Sequence, residues 1–191
     1  MLRLLLFLLL ALVTLPAQAQ LTAAATADYL PWSATRRLTA ADFRLALRAN
    51  TNMRGSSAVF QFGMEGNAYD LLGKRGNAVV HNNMFRSASW LDTTEVSEVS
   101  RSLRYQQTLF DIQEIYARRL RQQGRANAWK IIMVGKPDLQ ELSAQLLKED
   151  QQRQVKYTEE TAYGTIEQAQ EAWERQILKE LQELQAFQLT D

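Results

Sequence analysis

The chain has 191 residues, of which 46% are hydrophobic, with one histidine, no cysteine and a formal net charge of +1. A chain this close to neutral has no general electrostatic attraction for nucleic acid or an anionic membrane, so we expect no nucleic-acid partner. The absence of cysteine excludes a thiol nucleophile and a disulfide framework, and a chain of this length can form one domain stabilised by its own core.

Residues 1–19 have the pattern of a secretory signal peptide. Arg3 precedes an apolar run from Leu4 to Val13, and Ala17-Gln18-Ala19 provides a small-residue cleavage site. The apolar run is shorter than the about 20 residues that span a bilayer, although an uncleaved N-terminal anchor is the alternative. We therefore predict an exported protein, in the periplasm, the cell envelope or the medium, with no membrane span after cleavage. Removal of residues 1–19 leaves 21 basic and 21 acidic residues.

The first half of the mature chain predicts a small sheet. Residues 20–29, rich in alanine and threonine, are expected to form a flexible lead before a single domain at residues 30–191. Thr39 is placed to cap a short helix. The best strand predictions are residues 57–62 and 77–85, separated by a turn between Gly73 and Gly76.

The second half predicts helices. Asp92 and Glu95 are placed to cap a long helix whose apolar residues recur at steps of three and four, and Gly124 is placed to end it. Residues 129–134 form an apolar run that predicts another strand. The remaining predictions are a helix from Pro137 to about Asp150, an irregular segment at residues 151–164, and a final helix capped by Thr165 and Gln168. Strands first and helices later indicate an α+β fold, with a small mixed or antiparallel sheet packed against long helices.

Three segments carry a recognisable motif pattern across most of the mature chain. They are Trp32 with Arg37-Leu38-Thr39-Ala40-Ala41-Asp42-Phe43, the segment MFRSASWL at residues 84–91, and the segment LFDIQEIYARRLR at residues 109–121. A weaker fourth segment is YTEETAYG at residues 157–164. Together these segments resemble the bacterial family called domain of unknown function 922, whose members are exported proteins regarded as zinc-dependent proteases. The resemblance implies a single domain with a zincin-like fold.

The resemblance also implies the position of a metal site. In that family the long helix carries His-Glu-x-x-His, and a later histidine completes the ligand set. Residues four apart lie on one helix face, so two imidazoles can hold one Zn²⁺ while the glutamate acts as general base. This sequence has Tyr105, Gln106, Leu109 and Tyr163 at the four positions. Leucine has no ligand atom, glutamine is no base at neutral pH, and tyrosine must first lose a proton. The resemblance therefore implies no catalytic residue, no bound metal and no cofactor.

The leading hypothesis is a catalytically inactive relative of zinc-dependent proteases. Such a protein would act as a binding or scaffold module for an unknown protein or peptide partner, and Tyr105 and Leu109 would pack inward as ordinary core residues. One alternative is a metal-dependent peptidase or hydrolase with a relocated metal site that uses Asp111 or Glu114. Another alternative is a cleft for a peptide or a glycan, lined by Trp90, Tyr105 and Tyr163.

The matched helix carries further residues that support the motif. They are Phe110, Asp111, Glu114, Tyr116 and Arg118. Glu114 and Arg118 are four residues apart, so they are predicted to form an ion pair on the helix. Arg118, Arg119 and Arg121 are predicted to form a solvated basic face. The single histidine, His81, is expected to be a surface or hydrogen-bonded residue rather than a metal ligand.

Overall fold

The computed structural model describes residues 28–47, 53–66, 69–73 and 76–189, so the predicted signal peptide and most of the predicted lead lie outside the described residues. Within these ranges, three strands come first: β1 (Tyr29–Pro31), β2 (Ser56–Met64) and β3 (Val80–Leu91). Three α-helices follow in the same described part of the chain: α1 (Val96–Val134), α2 (Leu139–Thr161) and α3 (Glu167–Glu183). Short 3₁₀ turns lie at Ala40–Asp42, Asp70–Leu72, Gly76–Val79 and Gln185–Phe187. The chain has the predicted α+β architecture in one domain.

The three strands form an antiparallel sheet in the order β1-β3-β2, with the long strand β3 in the centre. Phe85 of β3 lies between Tyr29 of β1 and Val59 of β2. A bulge interrupts the β2–β3 register between Ser57 and Val59. The Ser89 hydroxyl stabilises this bulge, because it accepts a hydrogen bond from the Val59 backbone N–H at 2.9 Å. Of the two predicted sheet types, the antiparallel one is present.

The second predicted strand begins later than the sequence indicated. Gly76–Val79 forms a 3₁₀ turn, and β3 then continues past Phe85 to Leu91. The Asn77 side chain anchors the turn, because its Nδ2 donates to the carbonyls of Ala186 and Gln188 at 3.0 Å each. These acceptors lie 109 and 111 residues along the chain, so no local pattern could indicate them.

Helix α1 is longer than predicted, because Gly124 does not end it. Gly124 is buried inside the helix, and the Leu71 Cδ2 atom would lie 3.4 Å from an added Cβ. Glycine therefore permits a close contact there instead of a helix end. The predicted strand at residues 129–134 is also wrong, because these residues form the last turns of α1. The helix ends at Gly135, which adopts the left-handed conformation with φ of +70°.

The hydrogen bonds at two predicted helix starts show which of the predicted caps are present. Thr39 opens its 3₁₀ turn as predicted, with the Thr39 backbone N–H donating to the Asp42 carboxylate at 2.9 Å. The predicted cap of α1 is wrong. Asp92 accepts a hydrogen bond from the Thr94 backbone N–H at 3.0 Å, and Glu95 takes the N-cap position without a side-chain hydrogen bond. Asp92 is therefore used in a turn that precedes the helix.

Helix α2 continues through a segment that was predicted to be irregular, up to Thr161. Its buried positions are Leu146, Asp150, Tyr157 and Thr161. These positions recur at steps of four and seven and form one polar-rich face. The polar residues on that face conceal the helical periodicity in the sequence. The predicted cap of the final helix is wrong, because Ile166 rather than Thr165 is the N-cap of α3.

Helix α1 contributes to every cluster of buried side chains described in the fold. The main cluster joins Ile112, Ile115 and Leu120 of α1 to Tyr157, Trp173 and Ile177 of α2 and α3. Phe110 faces the sheet, where its ring stacks on Phe60 with centroids 4.6 Å apart. A smaller cluster, Leu71, Val79, Ala128 and Ile131, packs beneath the far end of α1. Among the described residues, no helix is long and apolar enough to cross a membrane.

Candidate functional site

The face of α1 that carries Tyr105 and Leu109 is closed by aromatic side chains. The Tyr105 ring centroid lies 5.4 Å from that of Tyr157 and 6.0 Å from that of Tyr163. The Tyr105 hydroxyl lies 2.8 Å from the Thr158 hydroxyl, and Tyr105 is only 8% exposed. Leu109 is half-buried and packs against the same cluster. We call Tyr105, Leu109, Tyr157 and Tyr163 the closed face.

Tyr163 reaches the closed face through an unusual turn after α2. Ala162 and Tyr163 both adopt left-handed conformations, with φ of +46° and +59°. Gly164 follows, and a Cβ at this position would lie 3.1 Å from the Tyr105 Cβ. The turn therefore brings the backbone close against α1. It leaves the Tyr163 side chain 70% exposed at the edge of the closed face.

Gln106 occupies the position that the resemblance implies for a general base. It is buried, and its Nε2 donates to the Ser56 hydroxyl at 3.0 Å. Its Oε1 is buried without a hydrogen-bond partner among the described residues. A neutral amide in this setting cannot accept a proton from water, so it offers no general base.

The residues of the closed face do not fit a zinc ion. A tyrosine ligand must be deprotonated, and its ordinary pKa is about 10. Burial raises the pKa of Tyr105 further, and the hydrogen bond to Thr158 offsets this only in part. Leu109 offers no ligand atom at all. Within the described ranges, no group of three or more His, Cys, Asp and Glu side chains is arranged to hold a metal.

Of the three aromatic residues predicted to line a cleft, the structure brings two close to each other. Tyr105 and Tyr163 are neighbours, as described above. Trp90 is half-buried on β3, where it pairs with Ser57 of β2. A ligand cleft formed by these three residues stays a prediction.

An open groove of about 1090 Å³ lies along another side of α1, between α1, α3 and the segment after β1. We call it the α1–α3 groove. Its apolar lining comes from Trp32, Leu38, Leu103, Ile177, Leu178 and Leu181. Its polar lining includes Arg37, Arg104, Gln107, Asp111, Arg118 and Glu174. Asp111 and Arg118 of the matched helix line this groove, together with Trp32, Arg37 and Leu38 of the first motif segment.

Asp111 positions one wall of the α1–α3 groove. Its carboxylate accepts hydrogen bonds from Trp32 Nε1 at 2.7 Å, Gln107 Nε2 at 2.8 Å and Arg37 Nη1 at 3.1 Å. Burial raises the pKa of Asp111, while these three donors lower it, and burial dominates. The bond from Trp32 also holds the indole over Arg118, whose Cζ lies 5.0 Å from the ring centroid. The carboxylate therefore orients groove side chains.

Glu114 lies behind this wall and pairs with two arginines. It accepts from Arg118 Nε at 3.0 Å, as predicted, and also from Arg121 Nη1 at 2.8 Å. The prediction of a solvated basic face is wrong, because Arg118 is 2% exposed and Arg121 is 1% exposed. Arg119 is more exposed, and its Cζ lies 4.9 Å from the centroid of the Tyr116 ring. Charge pairing with Glu114 makes burial of the two guanidinium groups possible.

The two buried arginines also hold the last described residues against α1. Arg118 donates to the Leu181 carbonyl at 2.6 Å and to Gln188 Oε1 at 3.1 Å. Arg121 donates to the Phe187 carbonyl at 3.0 Å and to the Val80 carbonyl at 2.8 Å. Three of these acceptors lie 63 to 70 residues further along the chain. The groove and the C-terminal segment therefore share one buried polar cluster.

Gln170 connects the closed face with the rim of the α1–α3 groove. Its Oε1 accepts a hydrogen bond from the Tyr157 hydroxyl at 2.6 Å, and its Nε2 donates to Thr108 Oγ1 and Glu174 Oε1 at 2.9 Å each. Glu174 in turn accepts from Arg104 Nε at 2.7 Å. Burial raises the pKa of Glu174, but the hydrogen bonds from Arg104 and Gln170 lower it more, so the pKa lies below its ordinary value. The rim therefore carries a fixed ion pair.

Comparisons with known proteins give no family assignment. Scans against protein-family models, curated proteins and solved structures gave no match to this chain. The resemblance to the zinc-protease family therefore stays a prediction. The function has to be inferred from the side chains and their arrangement.

The sequence did not reveal the α1–α3 groove, because its walls come from distant segments. Trp32 and Asp111 are 79 residues apart, and Arg104 and Glu174 are 70 residues apart. The one available signal was that Trp32 and Asp111 both belong to the matched motif segments. That signal marked the two residues but gave no reason to place them in contact.

Proposed function

We propose that this protein is an exported, non-catalytic binding protein built on a zinc-protease-like scaffold. The observation that carries the proposal is the closed face. At the positions where the related family would keep zinc ligands, Tyr105 stacks on Tyr157 and Leu109 packs against the core. A catalytic zinc site needs three protein ligands and an open coordination position, and neither is compatible with this packing.

The proposed binding site is the α1–α3 groove, and the proposed ligand is a segment of polypeptide. Ligand sites are concave and mostly apolar, with a few fixed polar groups that orient the ligand. The leucine and isoleucine side chains of the groove can receive the apolar side chains of a peptide, as helical grooves do elsewhere. Glutamine side chains at its edge, Gln182 and Gln185, can pair with peptide main-chain groups.

The ionisable groups of the groove also support binding rather than catalysis. Asp111 accepts three hydrogen bonds from the protein itself, and Glu174 is paired with Arg104. A general base or a nucleophile needs an oxygen that is free to reach the substrate. Groups that are already paired instead give the groove a fixed pattern of charge.

The absence of zinc-dependent catalysis is tested by metal content. We expect elemental mass spectrometry of the exported protein, after zinc loading and desalting, to find no retained zinc. The melting temperature should not change when zinc or a chelator is added, because the part of the chain that the structure describes offers no ligand set. One zinc retained per chain would contradict the proposal.

The groove is tested with peptides selected from a random displayed library on the wild-type protein. Leu178 lines the groove and is 55% exposed, so Leu178→Glu should leave folding intact and weaken peptide binding about tenfold or more. Val155 on α2 is 57% exposed and is not a lining residue of the groove, so Val155→Glu is the matched control. Isothermal titration calorimetry gives both affinities. Equal affinities for the two variants would assign binding to another surface.

A further inference from the structure

The far end of α1 exposes three apolar side chains within a stretch of six residues. We call residues 125–136, the last turns of α1 and the start of the turn to α2, the helix tip. Trp129 is 66% exposed, Met133 is 75% exposed and Val134 is 71% exposed. Trp129 and Met133 are four residues apart and therefore neighbours on one helix face. Contiguous exposed apolar side chains mark protein or membrane interaction sites, whereas singly scattered ones are ordinary.

These three side chains are not needed by the core. The inward face of the tip is occupied by Ala128 and Ile131, which pack with Leu71 and Val79. Leu139 of α2 covers the same small cluster from the other side. The tip is therefore folded and supported without Trp129 or Met133. Its outward apolar surface is available for a contact outside the chain.

The charges around the exposed side chains are mainly positive. Residues 122–137 contain three basic residues, Arg125, Lys130 and Lys136, and no acidic residue. Arg125 donates to the Asn77 side chain at 3.0 Å, and both lysines lie on exposed positions. The next acidic residue, Asp138, accepts the Gln140 backbone N–H at 2.7 Å and so caps α2. The protein is near neutral as a whole, but the tip has a local excess of positive charge.

The size of the patch favours a bilayer surface over a second protein. A stable protein interface buries roughly 800 Å² on each partner, which three side chains at one helix end cannot supply. Shallow insertion into a bilayer needs only a few side chains. Tryptophan prefers the interface between water and hydrocarbon, and flanking lysines contact anionic headgroups. Each basic residue near an anionic surface adds about 1 kcal/mol of attraction.

We propose that the helix tip binds the surface of a bilayer that contains anionic phospholipid. Trp129 and Met133 insert at the boundary between headgroups and acyl chains, Val134 extends the inserted surface, and Lys130 and Lys136 contact lipid phosphates. The α1–α3 groove lies along the N-terminal half of α1, where it is lined by Leu103 to Arg118. Arg118 and Trp129 are separated by about 16 Å along the helix axis, so binding at the tip leaves the groove accessible.

The proposal is tested with the exported protein, recovered from its host so that any N-terminal processing is the same in every variant. The probes are vesicles of phosphatidylcholine alone and vesicles that also contain phosphatidylglycerol. We expect the wild type to sediment preferentially with the anionic vesicles, and added salt should weaken this binding. For the double variant Trp129→Ser/Met133→Ser, the partition coefficient into anionic vesicles should fall about tenfold or more. Val155→Ser removes another exposed apolar side chain, from α2, and should bind like the wild type.

Two further measurements separate insertion from other causes. Brominated acyl chains should quench tryptophan emission in the wild type, and Trp129→Phe should lose most of this quenching while it still sediments. Lys130→Glu/Lys136→Glu should abolish the preference for anionic vesicles. No sedimentation of the wild type, or equal sedimentation of the Trp129→Ser/Met133→Ser variant, would overturn the proposal. A wild-type dimer that this double variant converts to a monomer would also overturn it, by assigning the patch to a second copy.

Discussion

The closed face and the α1–α3 groove lie on the same helix but differ in how their polar groups are used. On the closed face, the Tyr105 hydroxyl pairs with Thr158 and three tyrosine rings lie in contact. In the groove, Asp111 holds Trp32 at the wall, and space for a ligand remains. The difference teaches that one face of a helix can pack into the core while a neighbouring face of the same helix lines an open groove.

The largest expected effect comes from the buried charge cluster that supports the groove. Glu114→Gln removes the carboxylate that both Arg118 and Arg121 contact, so we expect a loss of about 3–5 kcal/mol in the free energy of unfolding. Denaturant unfolding followed by circular dichroism measures it. The matched control is Glu171→Gln, which removes an exposed pair with Arg175 and should change stability by less than about 1 kcal/mol. Similar losses in both variants would show that the buried ion pairs of Glu114 matter no more than the exposed pair of Glu171.

The interpretation of the closed face can be tested by introducing the zinc ligands that the resemblance implies. The variant carries Tyr105→His, Gln106→Glu, Leu109→His and Tyr163→His. Without metal, we expect the free energy of unfolding to fall by roughly 2–4 kcal/mol, because the stacked rings and the Leu109 contacts are removed. Zinc should restore stability and bind one ion per chain, because three imidazoles then share a site. Calorimetry and elemental analysis measure both effects.

A variant that keeps Leu109 but carries the other three changes is the control for this restoration. It lacks one ligand and should bind zinc far more weakly. If the full restoration folds and still takes up no zinc, the implied ligand positions do not converge, and the zinc-protease resemblance of the scaffold loses its support.

The smallest of the three expected effects concerns a buried carboxyl on α2. Burial raises the pKa of Asp150 to about 6, and the hydrogen bond from Gln154 opposes this only weakly. Its other oxygen, Oδ1, is buried without a partner among the described residues. The folded state therefore binds the proton more tightly than the unfolded chain, where the pKa is about 3.9. Stability from this group is present at low pH and is lost as the pH rises through about 6.

Asp150→Asn removes this pH dependence. As the pH rises from 4 to 7, the free energy of unfolding of the variant should increase by roughly 2–3 kcal/mol relative to that of the wild type. Only the wild type must ionise a buried group over this range. Denaturant unfolding at a series of pH values measures the difference. A stability difference that stays constant with pH would show that the carboxyl is better solvated than its position indicates.

The sequence predicted the parts of the fold that depend on local patterns. The strand around Val59, the long amphipathic helix and the Thr39 turn all have short-range signals, and all three are present. The helix ends were predicted poorly, because they depend on tertiary contacts. Gly124 lies inside α1 at a close contact with Leu71, and α2 continues past Asp150 on a face made largely of polar residues.

The candidate site was less predictable than the fold. The Glu114–Arg118 pair follows from a spacing of four residues, and the structure contains it. The burial of Arg118 and Arg121 does not follow, because most of their other acceptors are backbone carbonyls, those of Leu181, Phe187 and Val80. Any residue type can supply a carbonyl, so the sequence carries no sign of these bonds. The groove depends on the same distant contacts.

These bonds from Arg118 and Arg121 to the C-terminal segment set an order of events during biosynthesis. Both arginines are made more than 60 residues before the acceptors at Leu181 and Phe187. Until those residues have left the ribosome, two guanidinium groups cannot be buried without losing hydrogen bonds. The folded state therefore becomes stable only when nearly the whole described chain has been made. The export proposed above would make use of this delay, because a chain that is still open can be threaded through a translocation channel.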